Sequence, residues 1–455
     1  MVLGLGDTGL SMARWLARKG AAVRVADSRA DAPHAGRLAQ ELPGVPLTTG
    51  PFTDETLRGA DLVSVSPGID RREPPIARAI ARGVPVVGDV ELFARALPSL
   101  VARHSSLEPT QVLAVTGTNG KSTVTAMAGH MCRAAGCETV VAGNIGLPVL
   151  DAIAAVEDGA PPPQVYALEL SSFQLESTAS LAPDAAAMLN LTEDHMDRYA
   201  GLADYAAAKS RVFNGNGVQV LNRDDRWSMG MARAGRTLLS FGRGAPQGQD
   251  EWGISDAGRP ALLHGPRRLL ALDEVPVAGL HNAANALAAH ALCTALGLPQ
   301  ASTAAALKSY AGLPHRLQKV AELDGVAYYD DSKGTNVGAT VAALTGMTVP
   351  VVLIAGGDGK GQDFTPLAAA VAGHAHDVVL IGRDAGAMAS ALRGSGARMS
   401  RAQGMEEAVL LARAAARPGD AVLLSPACAS FDMFRNYGHR GDVFVAAVRA
   451  LKGGA

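Results

Sequence analysis

The stretch TGTNGKST, Thr116 to Thr123, sets glycines, a lysine and hydroxyls where a chain can cradle phosphate. An apolar run, Val112 to Val115, precedes it and a helical pattern follows. In that setting, loop N–H groups and a helix N-terminus hold phosphate oxygens. Gly117, Thr118, Asn119, Gly120, Lys121, Ser122 and Thr123 are therefore expected on ATP, with Lys121 as a point charge and Ser122 reaching a bridging metal. The longer form of this motif wants glycine at 115, where the chain has Val115, so the match is to the shorter GTNGKS.

A second glycine loop, GLGDTG from Gly4 to Gly9, opens a helix, and Asp27 ends the strand that follows, the place of a ribose-binding acid in a dinucleotide fold. Alone it would suggest a dehydrogenase. Beside an ATP loop it reads as a substrate diphosphate site, with a structural tight turn as the alternative. SPGI at Ser66 to Ile69 and GNIG at Gly143 to Gly146 also follow strands, where open α/β sheets bind ligands, although each could be an ordinary turn.

ELSSFQLE (Glu169 to Glu176) and LNLTEDHMDRY (Leu189 to Tyr199) bring a carboxylate and an imidazole to neighbouring strand ends. Mg²⁺ prefers oxygen, so Glu169, Ser122 and water are the plainer ligands, and His195 is either an unusual ligand or a solvated loop residue. Lys209, among alanines in YAAAKSRVF, reads from spacing alone as a solvated helical lysine. Later come GLPHRLQ, DDSKGTN, GGDGKGQDF and SPACASFDMFRNYGHRGDVF, which place Lys333, Thr335, Lys360 and Ser430 at loops or helix starts. They suit an anionic amino acid, with capping and turn roles as the alternative.

Strands and helices alternate throughout, giving an α/β protein of three domains. A Rossmann-like first domain spans residues 1–102 and a central P-loop ATPase-type domain 103–311. A second Rossmann-like domain spans 312–455. The Pro- and Ser-rich stretch Leu97 to Thr110 is expected to be a connector. The first strand, Met1 to Leu3, is short, which points to a start inside the natural element. A net charge of -2, with 18% charged and 48% hydrophobic residues, excludes a disordered chain and a basic surface for nucleic acid. Four cysteines without a CxxC pair indicate buried fillers in a reducing compartment, and the uncharged stretches are broken by Asn, His, Gly and Pro, so no membrane span is expected. With no export segment visible, a cytoplasmic protein is expected.

In this order, GLGDTG, SPGI, GTNGKST, GNIG, ELSSFQLE, NLTEDHMDRY, the AAAK lysine, HNAAN, LPHR, DDSKGTN, GGDGKG and SPACASFDMF resemble the Mur ligase family over nearly the whole chain. The DNPR signature of the branch adding a diamino acid is absent. The resemblance implies a monomeric ATP-dependent ligase that adds D-glutamate to UDP-N-acetylmuramoyl-L-alanine through an acyl phosphate, with two Mg²⁺ ions. It puts Gly6, Asp7, Thr8, Asp27, Ser28, Arg29, Ser66, Pro67, Gly68 and Asn144 on the UDP-linked substrate. It puts Asn282, Asn285, Arg316 and Asp331 with the phosphate loop on ATP, and Lys333, Thr335, Lys360, Ser430 and Tyr437 on D-glutamate. Ser122, Glu169, His195 and a carbamylated Lys209 would hold metal, and Lys121, Glu169, His195, Lys209 and Arg316 would carry catalysis. Ser28 stands where Thr is more familiar in the family and Tyr437 where Phe is usual. The competing readings are a folate polyglutamate ligase, which has no use for Gly4 to Gly9, a nicotinamide-dependent oxidoreductase, which leaves Lys121 unexplained, and a P-loop switch that needs no amino acid.

Overall fold

Three β-sheets follow one another along the chain in the computed structural model, which describes residues 1–103, 110–255, 258–276 and 279–451. The first sheet holds β1 (Val2–Leu3), β2 (Val25–Asp27), β3 (Leu47–Thr49), β4 (Val63–Val65) and β5 (Val86–Val87). They lie in the order β3-β2-β1-β4-β5, all parallel. Short as it is, β1 is the middle strand, and Val2 and Leu3 are fully buried between β2 and β4.

The second sheet holds β6 (Gln111–Thr116), β7 (Thr139–Gly143), β8 (Val165–Glu169), β9 (Ala185–Met188) and β10 (Val218–Asn222). It continues with β11 (Leu238–Phe241), β12 (Glu251–Ser255), β13 (Ala261–His264) and β14 (Arg267–Ala271). Their order is β14-β13-β12-β11-β10-β9-β6-β8-β7. The strands β6, β8 and β9 are nearly continuous runs of Val, Leu and Ala, as strands covered on both faces must be. Beyond β11 the expected alternation gives way to strands in succession, and β13 pairs antiparallel with both β12 and β14.

The third sheet holds β15 (Gln318–Leu323), β16 (Val326–Asp330), β17 (Val351–Gly356), β18 (Ala375–Ile381), β19 (Arg398–Arg401) and β20 (Ala421–Leu424), in the order β15-β16-β20-β17-β18-β19. Only β15 runs antiparallel to its neighbour. The exposed edge strand β19, RMSR, has no apolar run that sequence reading could find.

One expectation is corrected here. The stretch Leu97 to Thr110 does not begin as a connector, because the helix Asp89–Arg103 runs through Leu97 and Pro98. Leu100 lies buried in the main core, and that burial outweighs the proline's missing donor. The connector's remaining residues 104–109 lie outside the described residues. Among the cysteines, Cys132, Cys293 and Cys428 are buried, whereas Cys137 is half-buried, and none of the four is in a disulfide. Among the described residues no helix is long and apolar enough to cross a membrane.

Candidate active site

The phosphate loop leaves β6 at Thr116 and enters the helix Lys121–Ala134. Gly120 sits at φ 85°, and a Cβ there would come within 2.6 Å of Asn285 Oδ1, so only glycine lets this turn lie against the Asn282–Asn285 pair. Asn285 Nδ2 donates to Asn282 Oδ1 at 3.1 Å. Lys121 Nζ donates to the carbonyls of Gly117 (2.9 Å) and Thr118 (2.8 Å).

Lys209 is not the solvated lysine that spacing suggests. Small Ala206 and Ala208 let its helix pack beneath the phosphate loop, leaving the lysine 1% exposed. Its Nζ donates to the Gly117 carbonyl at 2.8 Å and lies 4.6 Å from the Tyr205 ring centre. Burial, then the Lys121 charge, pushes its pKa well below the ordinary lysine value, and burial also lowers that of Lys121.

Glu169 ends β8 and is 2% exposed. Its Oε1 accepts from Asn144 Nδ2 at 2.7 Å, while Oε2 is buried with no partner among the described residues. A buried carboxylate oxygen left open is costly unless something else occupies it, and hard oxygens of this kind suit Mg²⁺. Ser122 Oγ is buried at the start of the loop's helix, so the donor set fits the expected ion. His195 stands in the segment after β9 in the left-handed region (φ 57°), 4.7 Å from the Phe173 ring, and burial lowers its pKa.

From the third sheet comes Arg316, whose Nη2 donates to Ser122 Oγ at 2.6 Å. His315, just before it, is fixed by a 2.7 Å bond between Nδ1 and Asp330 Oδ2. A cavity of about 430 Å³ opens beside them, walled by Asn119, Thr123, Asn282, Asn285, Arg316, Asp331 and Lys333. Asp331 takes a bond from Ser425 Oγ at 2.7 Å, and burial raises its pKa to about 7. Burial lowers the pKa of Lys333 to about 8, and its Nζ lies 3.6 Å over the Tyr437 ring. The Lys360 loop and the Ser430 loop are joined by backbone bonds between Asp358 and Ala429 of 2.8 and 3.0 Å. Thr335 N donates to the Lys333 carbonyl at 2.8 Å, which keeps Thr335 beside that lysine.

The residues expected on the UDP-linked substrate gather on the first sheet. Gly9 packs so near Gly4 that a Cβ would lie 1.8 Å from the Gly4 carbonyl oxygen, and Ser66 Oγ donates to that carbonyl at 3.2 Å. Gly6, Thr8 and Pro67 are half-buried, while Asp7, Ser28, Arg29 and Gly68 are exposed along the same rim. Asp27 is filled by this chain's own donors, Leu5 N at 2.7 Å and Arg29 N, Nε and Nη2 at 2.9, 2.8 and 2.7 Å. The Arg29 bonds bring its pKa down to about 2, so it anchors the glycine loop. Asn144 alone of that set lies outside the first sheet: it follows β7, and its Nδ2 donates to Glu169 Oε1. Sequence reading missed His315, Asp330 and Ser425 as supports of Arg316 and Asp331, although all three stand inside motifs it singled out.

Comparison with known proteins bears on the same residues. Residues 1–88 match the Mur ligase MurD-like N-terminal domain, 115–293 the Mur ligase middle domain and 315–428 the Mur ligase glutamate ligase domain. The chain is 59% identical to UDP-N-acetylmuramoylalanine--D-glutamate ligase of Thiobacillus denitrificans, covering 99% of this chain and 96% of that one. It is 57% identical to the same enzyme of Methylobacillus flagellatus, covering 99% and 97%. Among solved structures, UDP-N-acetylmuramate-alanine ligase MurC of Thermotoga maritima shares the fold, with a TM-score of 0.60 at 20% identity over 99% of both chains.

Proposed function

Because the chain belongs to the Mur ligase family, we infer that it is an ATP-dependent, ADP-forming ligase that adds D-glutamate to UDP-N-acetylmuramoyl-L-alanine during peptidoglycan precursor synthesis. The observation that carries the chemistry is one cleft where Lys121, Ser122, Glu169 and Arg316 meet, with Asn144 bonded to Glu169.

A carboxylate resists an amine because its charge repels the nucleophile and oxide leaves poorly. Transfer of the γ-phosphoryl group of ATP to the alanyl carboxylate makes an acyl phosphate, whose phosphate leaves easily when the amine of D-glutamate attacks. Lys121, freed from the Gly117 and Thr118 carbonyls, moves onto the phosphates, and Arg316 steadies the charge that develops there. Asn282, Asn285 and Asp331 bind the nucleoside side of the cleft. Lys333, Thr335, Lys360, Ser430 and Tyr437 hold D-glutamate, the lysines meeting its carboxylates.

Ser122 and the open Glu169 Oε2 hold one Mg²⁺, and His195 with Lys209 holds a second. When bound, these ions neutralise phosphate charge and align the oxygens. Lys209 serves as its carbamate: burial lowers its pKa and so favours the neutral amine, whose lone pair adds to CO₂, forming an N–C bond as one C=O π bond opens and an N–H proton is released. The working units are residues 1–102 for the UDP-linked acid, 103–311 for ATP and 312–455 for the amino acid. The protein acts as a monomer in the cytoplasm, where its ATP is supplied.

Phosphate release with UDP-N-acetylmuramoyl-L-alanine and a panel of D and L amino acids tests this reading. Turnover with D-glutamate is expected. Turnover with L-glutamate or a diamino acid, and none with D-glutamate, would overturn it.

A further inference from the structure

A single buried arginine touches three of the loops from which the cleft is built. Arg198 follows His195 in the segment after β9. Its Nη2 donates to Glu176 Oε2 at 2.7 Å and to the Ile69 carbonyl at 3.2 Å, and its Nε stands 3.7 Å from Asp70 Oδ2. Glu176 ends the short helix after β8 that begins at Ser172. Ile69 and Asp70 continue the loop after β4 that starts at Ser66, and Arg72 reaches back from it to donate to the Arg198 carbonyl.

The same guanidinium lies 4.8 Å over the Phe173 ring, and that ring lies 4.7 Å from the His195 imidazole. His195 keeps its left-handed backbone (φ 57°), which a residue with a side chain holds only where its surroundings over-determine it. Arg198 supplies part of that restraint, since its backbone N–H, with that of Tyr199, donates to the His195 carbonyl at 2.9 and 3.1 Å. A buried guanidinium is an expensive way to fill space, whereas its planar fork can bridge several acceptors at once.

We propose that Arg198 is a positioning residue for the ligation: it ties the loop that receives the UDP-linked acid to the turn that presents His195, so seating the acid fixes the imidazole. This rests on the reading of Ser66 to Gly68 as part of the substrate site.

The test combines calorimetric binding of UDP-N-acetylmuramoyl-L-alanine to the full chain, without ATP or metal, with steady-state kinetics. Arg198→Lys keeps a charge within reach of Glu176 but cannot also bond Ile69 and lie flat on Phe173. It should weaken calorimetric binding about tenfold and lower kcat, with KM for ATP and D-glutamate changed less than about twofold. Phe173→Leu should lower kcat while leaving binding of the UDP-linked acid near that of the parent. Binding and kcat of Arg198→Lys within about twofold of the parent would overturn the proposal. So would a joint rise in all three KM values with a fall in melting temperature, the mark of a merely structural arginine. Arg198→Ala adds the complete deletion, and if it fails to fold the lysine variant decides. If the unaltered protein neither binds nor turns over the UDP-linked acid, the substrate reading itself falls and takes the proposal with it. Turnover by the parent with indifferent Arg198 variants removes the proposal alone.

Discussion

The junction between the first and second sheets and the junction between the second and third are built on opposite principles. Across the first, one hydrophobic core continues without a break: Leu5, Leu10 and Phe93 share it with Ala114, Ile153 and Tyr166, and Phe93 meets Tyr166 edge-on at 5.1 Å. Polar bonds reinforce it, including Arg18 on both oxygens of Asp158 (2.6 and 2.7 Å) and Glu91 on the N–H groups of Ala179 and Ser180 (2.7 and 2.8 Å). Across the second junction the described cores do not merge, since those of the third sheet draw only on residues from Leu317 onward. Among the described residues, polar bonds cross it, including Arg316 to Ser122 and the amide pair Asn119–Asn336 at 3.1 and 3.4 Å. The linking segment is left-handed at Gly312, His315 and Leu317. A shared apolar core holds two parts in one relation, whereas a few hydrogen bonds to groups that ligands also use can be exchanged for ligand contacts. On the proposed reading the UDP-linked acid would be received on a fixed frame, and the amino-acid side would close over the nucleotide.

If that contrast is right, removing a group at the second junction should damage catalysis and spare stability. The largest effect is expected from Arg316→Ala, a fall in kcat of about 10²–10³ with the melting temperature lowered by less than about 2 °C. An equal collapse of stability, seen by calorimetric melting, would mean that this junction is also a structural one. At the first junction Glu91→Ala should do the reverse. It strands two backbone donors and costs about 2–4 kcal/mol in urea unfolding, with kcat of the folded protein near that of the parent.

Asp89, buried between these parts, adds a pH signature. Its Oδ2 accepts from Gln174 Nε2 at 3.1 Å, its Oδ1 has no partner among the described residues, and burial raises its pKa to about 6. The folded protein therefore holds a proton there that the unfolded chain has already released. Stability from this group is present in full below the unfolded value near 4 and is lost as pH rises to about 6, a change of up to about 3 kcal/mol. Asp89→Asn should flatten that slope and raise stability at pH 7. An unchanged slope in urea titrations from pH 4 to 7 would show that Asp89 does not cause it. The smallest effect belongs to Lys333, whose cation is lost above pH 8 because its pKa lies at about 8. KM for D-glutamate should climb by up to about tenfold per pH unit beyond that, and Lys333→Arg should abolish the climb. A climb that persists in the arginine variant would place the titration elsewhere.

Most of the candidate site's residues were legible in the sequence because they sit in short loops after strands, where a phosphate loop or DDSKGTN has one geometry to adopt. Lys209 was illegible by spacing, since a helix of alanines reads alike in solvent or beneath a loop and only the packing distinguishes them. Resemblance, rather than periodicity, placed that lysine. The open oxygen of Glu169 and the reach of Arg198 to Ile69 join residues far apart in the chain, and no local pattern encodes such a meeting. Leu97 to Arg103 misled because proline and serine mark loops, while the burial of Leu100 kept the segment helical. The edge strand β19 and the antiparallel end of the second sheet escaped because neither carries the long apolar run that marks a covered parallel strand.

The self-contained packing of the last third has an evolutionary side. A module whose interior borrows no side chain from its neighbours can diverge, or be traded for a cousin that grips another building block, without any compensating change in the partner's interior. What the exchange must preserve is a handful of surface groups led by one guanidinium, a small demand beside that of recombining the two earlier sheets, where every apolar layer would have to be refitted.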